Sequence, residues 1–238
     1  MRYCGIAVGA EFQHLCVLEE VRADEPPVRL SATFFEPGRV AQVVEQIRML
    51  GDVVVAVAAP RRAGERACDG ELRRRGVPPP RHMPAGEELF DGLAGLGLAV
   101  YEPSEAEGPW GPVEEGAYAS YPVFETNADG VFCALAGLRV PARRHPAGVQ
   151  MRVQELIDDR VLDQDDEALW SRRIEEIDAA AAALCAHRYA VSHAVWVGDP
   201  GDCVVVLPGS RLPDRFSAEG VLPPLRRASL PSVGPGAG

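Results

Sequence analysis

The chain has 238 residues, of which 47% are hydrophobic and 25% charged, the composition of a folded globular domain. Its formal charge of −11 and pI near 5.0 exclude a general nucleic-acid coating protein, which would be basic. A phosphate-rich partner would have to meet a local basic patch, or metal ions held in an acidic cleft.

In chain order, short apolar runs at residues 3–8, 15–21 and 28–35 predict three strands, and their spacing suits an antiparallel meander. Val40, Val43, Val44, Ile47 and Leu50 recur at helical spacing before Gly51, which predicts an amphipathic helix over 40–50. The β-branched run at 53–57 reads as a central strand covered on both faces and stopped by Pro60. Residues 61–117 are less regular and read as an insertion. It holds a short basic helix at 68–75, a helix at 87–98 and a short strand at 100–101. A strand at 123–125, a helix at 130–136 and a long helix at 165–189 follow, then strands at 194–197 and 203–207. Residues 1–209 thus form one domain, and 210–238 read as an extended, partly disordered tail rich in Pro, Gly and Ser.

No run approaches the roughly 20 apolar residues of a membrane helix, and Met1 to Gly5 lead into no apolar signal core. The expectation is a cytoplasmic protein with no membrane partner and an oligomeric state left open. The six cysteines (Cys4, Cys16, Cys68, Cys133, Cys185, Cys203) are scattered, with no CxxC pair, which predicts buried reduced thiols. The five histidines make no HxH or HExxH pattern. Absence of a Gly-x-Ser-x-Gly elbow, a phosphate loop and a GxGxxG turn counts against serine hydrolase, NTPase and Rossmann oxidoreductase chemistry.

Several motifs, taken in order, resemble the uncharacterised predicted-nuclease family of the ribonuclease H-like superfamily. Gly5-Ile6-Ala7-Val8-Gly9 is similar to its Gly-Ile/Val-Asp-x-Gly strand, and the segment from Val55 to Pro60 to its Val-Ala-Ile-Asp-Ala-Pro. Arg66-Ala67-Cys68-Asp69, followed by Leu72-Arg73, matches Arg-x-Cys-Asp-x-x-Leu-Arg. Val123-Phe124-Glu125 resembles its Val-Ile-Glu strand end. The stretch from Ala142 to Gly148, with Arg152, is like a Lys-x-Thr-Pro-x-Gly segment. Asp178 begins an Asp-Ala helix that leads to Gly198-Asp199-Pro200. The resemblance spans residues 1–209. It implies an α/β fold with a mixed five-stranded sheet, three antiparallel strands and then parallel ones, and helices on both faces.

It also implies a metal-dependent nuclease, with Mg²⁺ or Mn²⁺ held by carboxylates at the sheet end, because hard cations want oxygen ligands. At the four acidic positions this chain has Ala7, Ala58, Glu125 and Asp178, so two ligands are vacated and catalysis is expected to be impaired. Glu125 and Asp178 remain as catalytic and metal-binding candidates, with Arg66, Arg143 and Arg144 for substrate. Asp69, Glu71 and Asp199 are possible replacement ligands, whose ordinary readings are an exposed helix face and a turn. Asp178 sits on the buried side of its helix and therefore needs a metal, a base or a hydrogen-bond donor. Arg61, Arg62, Arg73, Arg74 and Arg75 complete the basic clusters that would meet nucleic acid or a nucleotide. Two readings stay open: an impaired nuclease, or a catalytically inactive nuclease-like binding or scaffold protein. An ATP-binding, sugar-kinase-like reading lacks the second half such proteins need.

Overall fold

The computed structural model describes residues 1–21, 28–104, 108–162 and 168–218. Strands β1 (Arg2–Val8), β2 (Gln13–Val21) and β3 (Arg29–Phe34) form the expected antiparallel meander. Helix α1 (Val40–Leu50) has the predicted limits and buries Val40, Val43 and Ile47. The Arg39 N–H donates to the Gln42 side chain at 2.8 Å at its start, and Gly51 ends it at φ 80°. Strand β4 (Val53–Ala58) then lies parallel to β1.

The insertion contributes α2 (Ala67–Arg74), α3 (Pro84–Gly95), β5 (Trp110–Pro112) and α4 (Ala117–Ser120). Helix α3 starts three residues before its expected limit because Pro84 is suited to a first helical turn. Next come β6 (Val123–Glu125), α5 (Ala128–Ala136), α6 (Pro146–Asp158), β7 (Val161–Leu162), α7 (Ala168–Ser171), α8 (Ile174–Ala190), β8 (Ala194–Asp199) and β9 (Cys203–Pro208).

The main sheet has the order β6-β4-β1-β2-β3-β7: a meander extended on the β1 side by two parallel strands, the mixed sheet that the sequence resemblance implies. A sixth strand, the two-residue β7, joins the far edge parallel to β3. Strands β8 and β9 leave the main sheet and pair with β5 in a second, antiparallel one.

Two helices differ from the sequence reading. The long helix predicted over 165–189 is broken, because Arg173 is extended and its N–H donates to Glu176 Oε2 at 2.9 Å, starting α8 afresh. The beginning of that prediction, 165–167, lies outside the described residues. Helix α6 was not anticipated, although Pro146 with Val149, Val153 and Leu156 carries a helical start and spacing. The described start of the tail, 211–218, holds no helix or strand and packs against the domain: Leu212 and Phe216 are buried and the Phe216 N–H donates to Arg75 O at 2.9 Å. Residues 219–238 lie outside the described part. No helix among the described residues is long and apolar enough to cross a membrane.

Two cores flank the main sheet. Helices α1 and α3 cover one face over Ile6, Leu15, Val55 and Val57. On the other, α8 lies over Tyr3, Ala7, Cys16, Leu18 and Ala56 and is itself covered by α5 and α6. Apolar on nearly every side, α8 buries the whole run Ile177 to His187, as a central helix must. It comes so close to β1 that a Cβ on Gly5 would overlap the backbone of Ala179 and Ala183. Gly5→Ala is therefore expected to cost at least about 3 kcal/mol, measured as a lowered denaturant midpoint, because backbone cannot give way as a side chain does. Gly70→Ala, where a Cβ meets nothing within 4 Å, is the control and should be neutral or slightly stabilising.

Candidate functional site

Three of the four positions marked by the family motifs lie on one side of the sheet. Ala7 and Ala58 are partners in the parallel β1–β4 register at the strand C-termini, where open α/β sheets place their sites. Both pack into the core beneath α8, and Asp178 stands on α8 itself. Glu125 does not join them. It is in register with Val57, whose side chain belongs to the α1/α3 core, and residues side by side on neighbouring strands share a face. The residue following Glu125 on the α8 side is Thr126, whose hydroxyl donates to Val206 O at 2.7 Å. The strongest charges around Glu125 come from Arg66 and Asp69, and those around Asp178 from Arg143, Asp129, Arg152 and Glu175, so the two acids share no such neighbour.

Each retained acid is matched to a guanidinium. Glu125 is 5% exposed; its Oε1 accepts from Arg66 Nη1 at 2.6 Å and its Oε2 from the Arg61 backbone N–H at 2.9 Å. Arg66, its side chain 1% exposed, grips Asp69 with Nη2 at 2.6 Å and Nε at 3.2 Å. Two carboxylates thus share one buried cation, with the fork geometry only arginine offers. Burial pushes the Glu125 carboxyl up to about 7, against the opposing pull of Arg66 and the Arg61 N–H. For Arg66, burial lowers the pKa but the bonds to Asp69 and Glu125 raise it more. The two directions pull apart, and the paired donors on Glu125 favour the charged pair.

On the α8 side, Asp178 Oδ2 accepts from Arg143 Nη2 at 2.6 Å, so the donor that its burial demanded is a base. Its Oδ1 is buried without a hydrogen-bond partner among the described residues. Burial, only partly offset by Arg143, raises its pKa to about 7. His14, in register with Ala7 on β2, is 8% exposed, its Nδ1 is buried without a partner among the described residues, and burial lowers its pKa. Arg143 also reaches Glu175 at 3.4 Å.

These residues do not fit the two metal ions that the family motifs imply. Alanine offers no ligand atom at two positions, the third acid points to the other face, and both retained carboxylates are already countered by arginine. Among the described residues, no three His, Cys, Asp or Glu side chains are grouped to hold a metal ion. Of the alternative ligands, Glu71 is buried rather than on an exposed helix face and is bonded to Arg74 and Arg75. Asp69 serves Arg66, and Asp199 makes a turn by accepting the Gly201 N–H at 2.8 Å.

The basic clusters are likewise mostly spent in ion pairs. Arg61 meets Glu102 at 3.2 Å, Arg62 meets Asp202, and Arg75 meets Glu71 at 2.6 Å. Only Arg73 and Arg144 of those named are exposed with no partner among the described residues. On the Glu125 side there is a cavity of about 290 Å³, lined by Arg61, Arg62, Tyr101, Glu102, Asp202 and Cys203 among others. Asp202 was missed by the motif reading. It accepts the Ala67 N–H at 2.7 Å and so caps α2 from a distant turn, a role no local sequence signal carries.

No protein-family model and no curated protein matches the chain. Among solved structures it is similar to that of Thermus thermophilus RuvC, with 17% identity over 80% of this chain and 95% of that one, at a TM-score of 0.43.

Two measurements probe the pairs. Arg66→Ala would strand Glu125 and Asp69 without their cation and is expected to cost about 3–5 kcal/mol in urea unfolding, where Arg73→Ala costs under about 0.5 kcal/mol. For Asp178 the folded pKa lies above the unfolded one, so the folded state holds the extra proton and the carboxyl's contribution falls as pH rises from about 4 to 7. Asn cannot ionise, so the melting temperature of Asp178→Asn relative to the parent should climb between pH 5 and 8. A flat difference over that range would mean that Arg143 holds the group ionised throughout.

Proposed function

We propose that this chain is a catalytically inactive, nuclease-like binding or scaffold protein: a ribonuclease H-like fold in which structural arginine–carboxylate pairs occupy the place of a two-metal centre. The observation that carries this reading is the separation of the retained acids. Glu125 and Asp178 lie on opposite faces of the sheet, each against its own arginine, with alanine at the other two positions. A two-metal mechanism needs carboxylates converging within reach of both ions, about 4 Å apart.

Nucleic acid or a nucleotide remains the partner class suggested by the family motifs, but the charges favour short contacts over a long phosphate track. Exposed and unpaired arginine among those named is confined to Arg73 and Arg144, and the whole chain carries −11. Arg66 and Arg143 act, in this reading, as internal counter-ions and not as phosphate grips. A contact made through these clusters, with two free cations, should show a slope of about 2 or less in log–log form between 50 and 200 mM salt.

One observation favours the metal-dependent nuclease instead: Asp178 Oδ1 is buried, unpartnered among the described residues, and on the same side as positions 7 and 58. Two experiments separate the readings. Thermal melting in a Mn²⁺ or Mg²⁺ titration to about ten millimolar should show no shift for a protein without the site, whereas a shift of several degrees that Asp178→Asn abolishes would support metal binding. The double variant Ala7→Asp, Ala58→Asp should stay inert towards oligonucleotides with Mn²⁺, because Glu125 points away. Cleavage by this variant would make the parent a disabled nuclease with an intact site.

A further inference from the structure

The tip of the β8–β9 hairpin is locked onto the start of α2. Asp202 receives the Ala67 N–H and the Arg62 guanidinium, and Gly198, at φ 128°, sits so close that a Cβ there would lie 2.9 Å from Cys68 Cβ. Across this junction Cys68 and Cys203 form a disulfide, with Cα atoms 5.9 Å apart and 135 residues between them in sequence. The expectation of reduced thiols is therefore corrected for these two, while Cys4, Cys16, Cys133 and Cys185 are buried and lie outside this disulfide. Scattered cysteines gave no hint of the pair because only the fold brings β9 against α2.

The two sulfurs have unequal surroundings. Cys68 is fully buried. Cys203 is partly exposed and lines the cavity that also holds Arg61, Arg62 and Glu125. Cys68 is the second residue of α2, where free N–H groups and the helix dipole favour a thiolate; its own N–H is donated to the partner sulfur, Cys203 Sγ, 3.4 Å away, and steadies that sulfur instead. A nucleophile arriving through the cavity meets Cys203, the accessible sulfur, and attack there expels Cys68 as the leaving thiolate.

We propose that the Cys68–Cys203 disulfide is a redox-active site, opened by a dithiol reductant that attacks Cys203 through the cavity, and that its opening releases the hairpin tip from α2. In the first step the reductant's thiolate bonds to Cys203 Sγ, the Cys68–Cys203 bond breaks, and Cys68 leaves as thiolate. In the second, the reductant's other thiol attacks its own sulfur in that mixed disulfide, Cys203 leaves as thiolate, and the reductant closes into a disulfide. Two electrons pass from the dithiol to the protein, and the two thiol protons are shared between the cysteine thiolates and solvent. The consequence is local: α2 carries Arg66 at its N-cap, so loosening α2 also loosens the cation that neutralises Glu125 and Asp69.

The test uses the full chain purified without reductant. Alkylation of the denatured protein followed by intact mass should count four thiols, and six after the native protein has been treated with dithiothreitol. Native reduction should run within about tenfold of the rate in denaturant, since no global opening is required. Oxidised glutathione added to native Cys68→Ser should form one mixed disulfide at Cys203, the Cys203 thiolate attacking its disulfide and reduced glutathione leaving, and native Cys203→Ser should form none. Hydrogen exchange in residues 61–75 should rise on reduction, while α8 stays protected. Six thiols in the untreated protein, reduction more than about a hundredfold slower than in denaturant, a mixed disulfide at Cys68, or unchanged exchange in 61–75 would each overturn the proposal.

Discussion

The closeness of α8 to β1 sets the dimensions of the whole molecule. Gly5 has no side chain on the α8 side, and Ala179 to Ala183 present nothing larger than a methyl group, so helix and sheet meet backbone to backbone. Such packing gains dispersion contacts at the cost of tolerance, since one added carbon has nowhere to go. With α8 fixed, α5 and α6 can cover its outer side, and a helix that would otherwise expose an apolar flank becomes the axis of the fold. The same contact fixes the place of Asp178, one residue before the alanine run, next to the ends of β1 and β4.

Charge at the sheet end follows from that geometry. A buried carboxylate must find a cation or take up a proton, and at Glu125 and Asp178 the chain supplies arginine. With alanine at positions 7 and 58, fewer negative charges gather there than a divalent ion requires, and a single guanidinium suffices for each remaining acid. The arginines that look in sequence like a phosphate-gripping patch are mostly drawn into this internal neutralisation. Arg66 is the extreme case: it serves two acids, on a helix whose start is in turn held by Asp202 and Cys203.

That coupling joins the second sheet to the first. Strands β8 and β9 contribute little to the main sheet, yet their hairpin turn caps α2, and α2 places the cation for Glu125. The cavity beside this junction has charged walls of both signs and one partly exposed sulfur.

Local patterns were enough for much of the fold. The helix over 40–50, the β-branched run of β4 and the alternation in β1 to β3 each follow from periodicities of 3.6 or 2 and from the Gly and Pro that interrupt them. The same patterns misjudged the long helix, because the break at Arg173 depends on one extended residue and a reach-back bond from Glu176. They passed over α6, whose apolar stripe is short. The order of motifs pointed to the ribonuclease H-like arrangement and to positions 7, 58, 125 and 178. By itself, then, the sequence determined which residues stand at those positions and that two of them have no ligand atom, since identity is covalent. Which face Glu125 points to, which arginine meets which acid, and that Cys68 meets Cys203 were decided only by tertiary structure. Those facts depend on strand register and on contacts between residues far apart in the chain, and no local periodicity encodes them.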